Sequence, residues 1–250
     1  MTDKANSDTA DIIEDGPDED TLRRNVHGRR LGRPLSTARQ VALDALLPRL
    51  SIDATDLKGE ATLDPSTLFP HPNAPTWLEI GFGSGEHLRH VMANEPETNF
   101  IGAEPYINGM SAFLKDLYES KQDTSHIRVH MDDALMLVDA IQDHSLDGIY
   151  ILNPDPWHKY KHHKRRIVRQ ETLDKYARIL KSGSKLVMTS DVEVLSEWMA
   201  IQASMHPAFK WTAQTPADWK DLPQGWESTR YENKGRAAGR FQSYLIFERI

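Results

Sequence analysis

The residues best suited to chemistry form one short segment, 153–166, which reads Asn-Pro-Asp-Pro-Trp-His-Lys-Tyr-Lys-His-His-Lys-Arg-Arg. Two prolines stiffen the turn around Asp155, so a carboxylate is held beside the indole of Trp157. Because basic side chains neutralise phosphates and flat rings can support a base or a ribose, the segment predicts chemistry on a nucleic acid. The residues predicted to contact the nucleic-acid backbone are Lys161, Lys164, Arg165 and Arg166.

The basic run has two other interpretations. A run of charges is often no more than the solvated face of a helix. His158, His162 and His163 suggest a metal site, but the surrounding cations would repel a metal ion, and the run offers no adjacent carboxylate. We therefore expect no metal site.

The position of Asp155 along the chain also indicates a site. Residues 146–152 have the apolar character of a buried strand, so Asp155 should emerge at the carboxyl end, where open α/β sheets bind ligands. Glu104 ends an earlier predicted strand, where an acid can accept two hydrogen bonds from a ribose diol. Asp133 follows another strand and could accept a hydrogen bond from an adenine amino group, with Asp132 as the alternative.

A glycine-rich turn lies between the first predicted strand and the helix after it. Its glycines are Gly81, Gly83 and Gly85, which let the backbone approach a ligand closely. Dinucleotide sites have a glycine where this chain has Glu86, whose carboxylate would repel a pyrophosphate at the helix amino terminus. The G-x-G-x-G form, with Glu79 two residues before it, resembles instead motif I of S-adenosylmethionine-dependent methyltransferases, whose cofactor carries no phosphate.

Apolar strand runs alternate with helical segments, and this alternation predicts an α/β fold with a doubly wound, mostly parallel sheet. An amphipathic helix at 37–47 should pack onto the main domain. The polar segment 228–240 is expected to form a flexible loop, in which Glu232 could accept hydrogen bonds from guanine N1 and N2, with Thr229 assisting; an ordinary surface loop is the alternative. The predicted strands are 76–80, 99–103, 126–130, 146–152, 184–189 and 242–248.

Charge is distributed unevenly along the 250 residues. The formal net charge is −7, and residues 1–20, with eight acids and one lysine, account for all of it. The remaining chain is neutral overall, but its basic residues cluster, so a local field can still attract a polyanion. We expect a disordered acidic tail at 1–22, a basic segment with a helix at 23–75, and a catalytic domain at 76–250.

The chain contains no cysteine, which excludes disulfides, cysteine-bound zinc and thiolate nucleophiles. No apolar run approaches the roughly 18 residues that a membrane-spanning helix needs. The acidic start also lacks the basic and apolar regions of a secretion signal. These features predict a cytoplasmic protein that does not associate with a membrane.

Several separated motifs make the chain, from about Arg29 to its last residue, resemble the tRNA (guanine-N7-)-methyltransferase family in its single-chain bacterial form. The Pro-Asp-Pro-Trp-His-Lys motif and its Lys-Arg-Arg run stand at 154–166, and an Arg-Arg-x-Gly-Arg signature stands at 29–33. The family's Thr-Lys-Phe-Glu motif stands at 229–232 as Thr-Arg-Tyr-Glu, and Asn153 replaces a usual aromatic residue. These departures concern fine specificity rather than activity.

The resemblance implies a seven-stranded sheet of the class I S-adenosylmethionine-dependent methyltransferase type. It also implies methyl transfer from S-adenosylmethionine to N7 of guanine 46 in the variable loop of tRNA. tRNA is then the expected partner of a monomer or homodimer that needs no other protein. The implied cofactor-binding residues are Glu79, Gly81, Gly83, Gly85, Glu104, Asp133 and Asp155, of which Asp155 is also catalytic. The implied substrate-binding residues are Lys159, Asp191, Thr229, Arg230, Tyr231 and Glu232.

Two rival functions agree with part of the sequence. The turn at 153–157 is similar to the Asn/Asp-Pro-Pro-aromatic turn with which amino-group methylases bind an exocyclic amine, although Asp155 separates the two prolines. A non-catalytic RNA-binding protein could keep the fold and the basic run. The intact Glu79, glycine turn and Glu104 argue against loss of the cofactor.

Overall fold

The computed structural model describes residues 30–52, 54–57, 59 and 61–250. The tail expected at 1–22 and the basic residues up to Arg29 lie outside that part of the chain. The strands are β1 (Thr76–Ile80), β2 (Asn99–Ala103), β3 (Ile127–His130), β4 (Leu146–Leu152), β5 (Leu180–Ser190), β6 (Phe209–Trp211) and β7 (Ser243–Arg249). The helices are α1 (Thr37–Leu50), α2 (Glu86–Asn94), α3 (Ile107–Ser120), α4 (Ala134–Ala140), α5 (Gln170–Ile179), α6 (Glu193–Met205), α7 (Ala217–Lys220) and α8 (Arg230–Ala237). Short 3-10 helices cover Ala54–Leu57, Pro65–Leu68 and Tyr160–Arg165.

One sheet contains these strands in the order β3-β2-β1-β4-β5-β7-β6. Strands β1 to β5 pair in parallel, and β7 lies antiparallel between β5 and β6. The predicted doubly wound, mostly parallel α/β fold is confirmed, as is the seven-stranded sheet that the family resemblance implies. The strand order reverses between β1 and β4, so a ligand crevice is expected at the carboxyl ends of these strands.

Apolar side chains pack in two clusters, one on each face of the sheet. Successive residues of a strand point to opposite faces, and in β2 Phe100 joins one cluster while Ile101 joins the other. Residues of α1, α2 and α3 pack with Phe100, and residues of α4, α5 and α6 pack with Ile101. Both faces are thus shielded from water, as a parallel sheet requires. The carboxyl ends of the strands remain the natural place for a site.

The two edge strands are the shortest in the sheet. β3 has four residues and β6 has three. Beyond β3, a bridge joins Ser51 to Val129, and the Ile52 amide donates to the Val129 carbonyl at 3.0 Å. Strand β6 is not predicted from the sequence, because three residues are too few to show strand alternation. None of the helices in the described ranges has the length and apolar character needed to cross a membrane.

Two predicted segments have bounds that differ from the structure by more than one residue. Helix α1 runs to Leu50, three residues beyond the predicted end, because Leu50 packs in the core with Leu43 and Leu46. Strand β5 begins at Leu180, four residues before the predicted start at 184.

The flexible loop expected at 228–240 is wrong, because helix α8 occupies most of it. Only Glu232 and Gly235 are buried within α8, so the helix lacks the apolar stripe on which such a prediction depends. A side-chain cap begins it instead: the Thr229 hydroxyl accepts a hydrogen bond from the Glu232 amide at 3.3 Å.

Candidate functional site

Acidic side chains gather where the parallel strands end. Glu79 lies near the end of β1, and four further acids follow the next strands of the sheet: Glu104 after β2, Asp133 after β3, Asp155 after β4 and Asp191 after β5. Burial raises the pKa of Glu104, and the nearby charges of Asp155 and Glu79 add to that effect, while two backbone hydrogen bonds oppose it. The predicted carboxylates therefore share one edge of the sheet.

The glycine turn after β1 leaves open space beside a buried acid. Gly81 and Gly83 have φ angles of +73° and +58°, and a Cβ at either position would meet nothing within 4 Å. The Glu104 carboxylate accepts hydrogen bonds from the Gly83 amide at 2.7 Å and the Tyr106 amide at 2.8 Å. A carboxylate offers about four lone pairs, so Glu104 can still accept from a ribose diol. The turn fits a nucleoside-like ligand.

Arg230 at the start of α8 attaches this helix to the glycine turn. Its amide donates to Glu86 at 2.6 Å, its guanidinium pairs with the same carboxylate, and it also donates to the Ser84 hydroxyl at 3.1 Å. Glu86, whose charge was expected to exclude a pyrophosphate, thus has a partner within the protein. The glycine turn and the 229–232 segment are therefore adjacent.

The turn that carries Asp155 has an unusual backbone. Asn153 and Trp157, on either side of Asp155, have φ angles of +47° and +45°, a left-handed conformation that costs non-glycine residues energy and that surrounding contacts must enforce. The Asn153 amide donates to the Thr189 carbonyl at 3.0 Å, and its side chain accepts from Gln242 at 2.9 Å. Asp155 itself is exposed, and no described residue gives its carboxylate a hydrogen bond or ion pair.

Two open clefts meet at Asp155. One, of about 390 Å³, lies toward the basic run; the other, of about 340 Å³, lies toward β5 and α8. The first is lined by Asp155, Pro156, Trp157, His158, Lys159 and His162. Charged or aromatic side chains lining the second are Asp155, Asp191, Tyr231, Lys234 and Arg240. The structure therefore brings Lys159, Asp191 and Tyr231 close to Asp155.

Asp191 is fixed against α8. It pairs with Arg240 at 2.8 Å, and a Cβ on Gly235 of α8 would lie 2.6 Å from its carboxylate. Lys234 and Arg240 are not among the residues predicted from the sequence, although their positive charges, three and nine residues after Tyr231, were a usable signal.

Two predicted binding residues point into the protein. Glu232 is fully buried, where its carboxylate accepts hydrogen bonds from the Trp226 indole and the Tyr244 hydroxyl. Arg166 is also buried: it stacks on Trp198 at 4.8 Å and donates to the Pro156 carbonyl at 3.0 Å. In this conformation Arg166 supports the Asp155 turn instead of offering a surface charge.

The choice between Asp132 and Asp133 stays open. Asp132 pairs with Arg30 at 3.0 Å and accepts from the Asp133 amide at 2.9 Å. Asp133 caps α4 by accepting from the Leu135 amide at 2.9 Å through one of its two oxygens. Within the described residues, no three His, Cys, Asp or Glu side chains are grouped as a metal ion would require.

Comparison with known proteins places this architecture in a family. A family model described as "Putative methyltransferase" matches residues 73–243. Two similar curated proteins are both named tRNA (guanine-N(7)-)-methyltransferase. The protein from Rhodospirillum rubrum is 41% identical over 233 residues, covering 93% of this chain and 91% of its own length. The protein from Rhizobium meliloti is 46% identical over 222 residues, covering 89% and 94%.

Solved structures share the fold at much lower identity. The 16S rRNA methyltransferase KamB superposes with a TM-score of 0.52 at 13% identity, covering 74% of this chain and 90% of its own. An antibiotic-related methyltransferase gives a TM-score of 0.50 at 15% identity, with the same coverage. At such identities these two likenesses concern the fold alone.

Proposed function

Because the chain belongs to the tRNA (guanine-N7-)-methyltransferase family, we propose that it transfers a methyl group from S-adenosylmethionine to N7 of guanine 46 in the variable loop of tRNA. The observation that carries the proposal is the placement of Asp155. Its carboxylate is exposed after β4 at the point where two open clefts meet, and its charge is near enough to Glu104 to affect the pKa of that acid.

The donor would lie at the glycine turn. S-adenosylmethionine, when bound, supplies an electrophilic methyl group on a sulfonium. The open space over Gly81 and Gly83 leaves room for a ligand against the backbone, and Glu104 keeps lone pairs for ribose hydroxyls. Glu79 and Asp133 complete the proposed acidic surroundings, with Gly85 allowing the turn to enter α2 at a φ of +71°.

The reaction demands positioning and charge compensation rather than proton transfer. Guanine N7 has an in-plane lone pair and no proton, so no general base is needed. Holding the base in line can lower the barrier by about 7–11 kcal/mol in well-oriented systems. We assign that orienting role to Asp155, whose negative charge also stabilises the positive charge that develops on the purine.

The basic run would hold the tRNA backbone beside this site. Lys159, Lys161 and Lys164 are exposed, and Arg165 lies over the Trp157 ring at 5.0 Å. Their charges can neutralise phosphates close to the Asp155 cleft. The buried Arg166 would act indirectly, through the turn that it supports.

The cleft between β5 and α8 would receive the guanine. Tyr231 is exposed and lines this cleft, so its ring can stack on a base. Asp191 lines the same cleft, where its carboxylate can accept hydrogen bonds from the base. Three further predicted residues would serve substrate binding indirectly, by holding α8 in place. Thr229 caps the helix, Arg230 bonds to Glu86, and Glu232 accepts a hydrogen bond from Trp226.

One assay tests the reaction and the base together. Purified protein is incubated with labelled S-adenosylmethionine and unmodified tRNA, and the labelled nucleoside is identified by mass spectrometry after digestion. We expect 7-methylguanosine, and a transcript with adenosine at position 46 should remain unlabelled. A guanosine methylated on its exocyclic amine would favour the amino-methylase rival. Binding of tRNA without any labelling would favour a non-catalytic protein.

A further inference from the structure

Three buried polar side chains and one half-buried indole form a line from the proposed donor site to α8. Its members are Glu79 of β1, His87 of α2, Trp226 of the segment before α8, and Glu232 of α8. Glu79, His87 and Glu232 are only 3%, 4% and 0% exposed. We call these four residues the buried bridge.

Each member of the buried bridge contacts the next. His87 Nδ1 lies 2.8 Å from Glu79 Oε2. The ring of His87 packs against the Trp226 indole, with centroids 4.8 Å apart. The Trp226 Nε1–H donates to both oxygens of Glu232, at 3.2 and 3.3 Å. A continuous path therefore joins an acid of the proposed donor site to the helix that lines the proposed guanine cleft.

Because the carboxylates of this path are buried, each of them depends on keeping its hydrogen-bond partners. A buried carboxylate is costly unless it is hydrogen-bonded or paired, and burial raises the pKa of Glu232. Besides Trp226, the Tyr244 hydroxyl donates to Glu232 at 3.3 Å, and Arg236 donates to that hydroxyl at 2.9 Å. A displacement of Glu79 or His87 thus changes the packing of the indole that satisfies Glu232.

A second attachment acts on the same helix from the other side. Arg230, at the first position of α8, is bonded to Glu86 and Ser84 of the glycine turn. Tyr231, between Arg230 and Glu232, is one of the α8 residues that line the cleft. The orientation of Tyr231 is therefore set by two contacts that both originate at the proposed donor site.

We propose that His87 and Trp226 are positioning residues that couple the donor site to the guanine cleft. Occupancy of the donor site fixes Glu79 and, through the buried bridge, the α8 helix, so tRNA binds with less loss of conformational freedom. Thermodynamic linkage requires the reverse effect of equal size: bound tRNA tightens donor-site binding by the same factor. The inference rests on the proposed function and adds to it a coupling between the binding of its two ligands.

The sharpest test removes one hydrogen-bond donor and little else. Trp226→Phe keeps an aromatic ring against His87 but lacks the N–H that Glu232 accepts. Trp211→Phe is the matched control, because the Trp211 indole N–H donates to none of the described residues. Binding of S-adenosylhomocysteine, the demethylated donor, is measured by calorimetry with and without an unmodified tRNA transcript.

In the wild-type protein and in Trp211→Phe, tRNA should tighten S-adenosylhomocysteine binding at least about fivefold. In Trp226→Phe this factor should fall toward one, while the affinity for each ligand alone stays within about twofold. A Trp226→Phe protein that retains the wild-type factor overturns the proposal. So does a wild-type protein in which the two ligands bind independently.

A second pair of variants gives an answer even if Trp226→Phe fails to fold. His87→Asn keeps a donor toward Glu79, whereas His87→Leu removes it, so coupling should survive better in the first than in the second. Equal factors in both would contradict the role of His87. Formation of 7-methylguanosine is followed in the same samples. If the wild-type protein forms none, the proposed function is refuted. If it forms 7-methylguanosine but the variants keep the wild-type coupling factor, only the role of the buried bridge is refuted.

Discussion

Asp155 is held by the backbone around it, and none of the described residues bonds to its carboxylate. Its neighbours Asn153 and Trp157 adopt left-handed conformations, which the contacts from Thr189, Gln242 and Arg166 enforce. Such strain is tolerated where a fixed geometry serves a site. The carboxylate thus remains available, in a defined place, for a substrate.

Replacing Asp155 by asparagine tests whether the reaction needs its negative charge. Asp155→Asn keeps the shape of the side chain but cannot stabilise a cationic purine, so kcat should fall about a hundredfold or more, as when one preorganised group is removed from an active site. The Kd for tRNA should stay within about twofold. Glu197→Gln, at an exposed position of α6, serves as the control in single-turnover and filter-binding assays. A variant with full kcat would remove Asp155 from the mechanism.

The sequence predicted which acids gather at the carboxyl edge of the sheet, but it did not predict which of the candidate side chains point inward. Asp155 could be predicted because Pro-Asp-Pro restricts its neighbours and an apolar strand precedes it. The inward direction of Glu232 could not, because its partners Trp226 and Tyr244 come from other segments and nothing local marks them as donors. Residue types are local information, whereas burial depends on the whole fold.

Among the elements, the 3-10 helix Tyr160–Arg165 concentrates charge on one short surface. Lys159→Ala and Arg165→Ala should each weaken tRNA binding, because each leaves one phosphate without its cation. The slope of log Kd against log salt concentration should fall in magnitude by about one in each variant. Lys210→Ala, at an exposed position of edge strand β6, should leave both affinity and slope unchanged. Kd for tRNA is measured by titration at several salt concentrations. If all three variants give the wild-type slope, Lys159 and Arg165 do not contact phosphates.

Helix α8 depends on its cap because it buries so little apolar surface. Thr229→Ala removes the side chain that accepts from the Glu232 amide, which typically costs about 1 kcal/mol. Amide hydrogen exchange within α8 should therefore accelerate about fivefold, while the core strands keep their protection. Thr229→Ser retains the hydroxyl and should exchange like wild type. Unchanged protection in Thr229→Ala would show that tertiary contacts alone hold α8.

The same reasoning explains which elements the sequence predicted. Strands β1, β2 and β4 carry long enough apolar runs to be recognised, and their predicted bounds agree with the structure. Strand β6 is too short, and α8 is stabilised by a cap, an ion pair and a buried carboxylate instead of an apolar stripe. Periodicity reveals elements that bury apolar faces and misses those held by polar contacts.

At the scale of the whole molecule, Glu104 should make stability depend on pH. Burial raises its pKa above the ordinary 4.5, so as pH increases the unfolded chain loses this proton before the folded protein does. Where the unfolded state binds fewer protons, the free energy of unfolding falls as pH rises. The contribution of Glu104 is thus fully present below the ordinary carboxyl pKa and is lost as pH rises through its raised pKa.

Glu104→Gln cannot ionise and should escape this loss. Relative to wild type, its free energy of unfolding should improve as pH rises from the ordinary carboxyl pKa of 4.5 through the raised pKa of Glu104. A weakened hydrogen bond to Gly83 or Tyr106 would add a cost that does not vary with pH. Urea unfolding at intervals of one pH unit measures the difference, with Glu197→Gln as an exposed carboxyl control. A difference that does not vary with pH would show that Glu104 titrates normally.

The short strands at the two edges of the sheet also have a consequence for the protein at high concentration. A long, flat edge is a template on which a second molecule can add a strand, and repetition of that step produces polymers. Here one edge has three residues, and the other, β3, is already paired in part by the segment at Ser51 and Ile52. Within the described residues such short edges are poor templates for that growth, so strand addition between molecules should be rare even in concentrated solution.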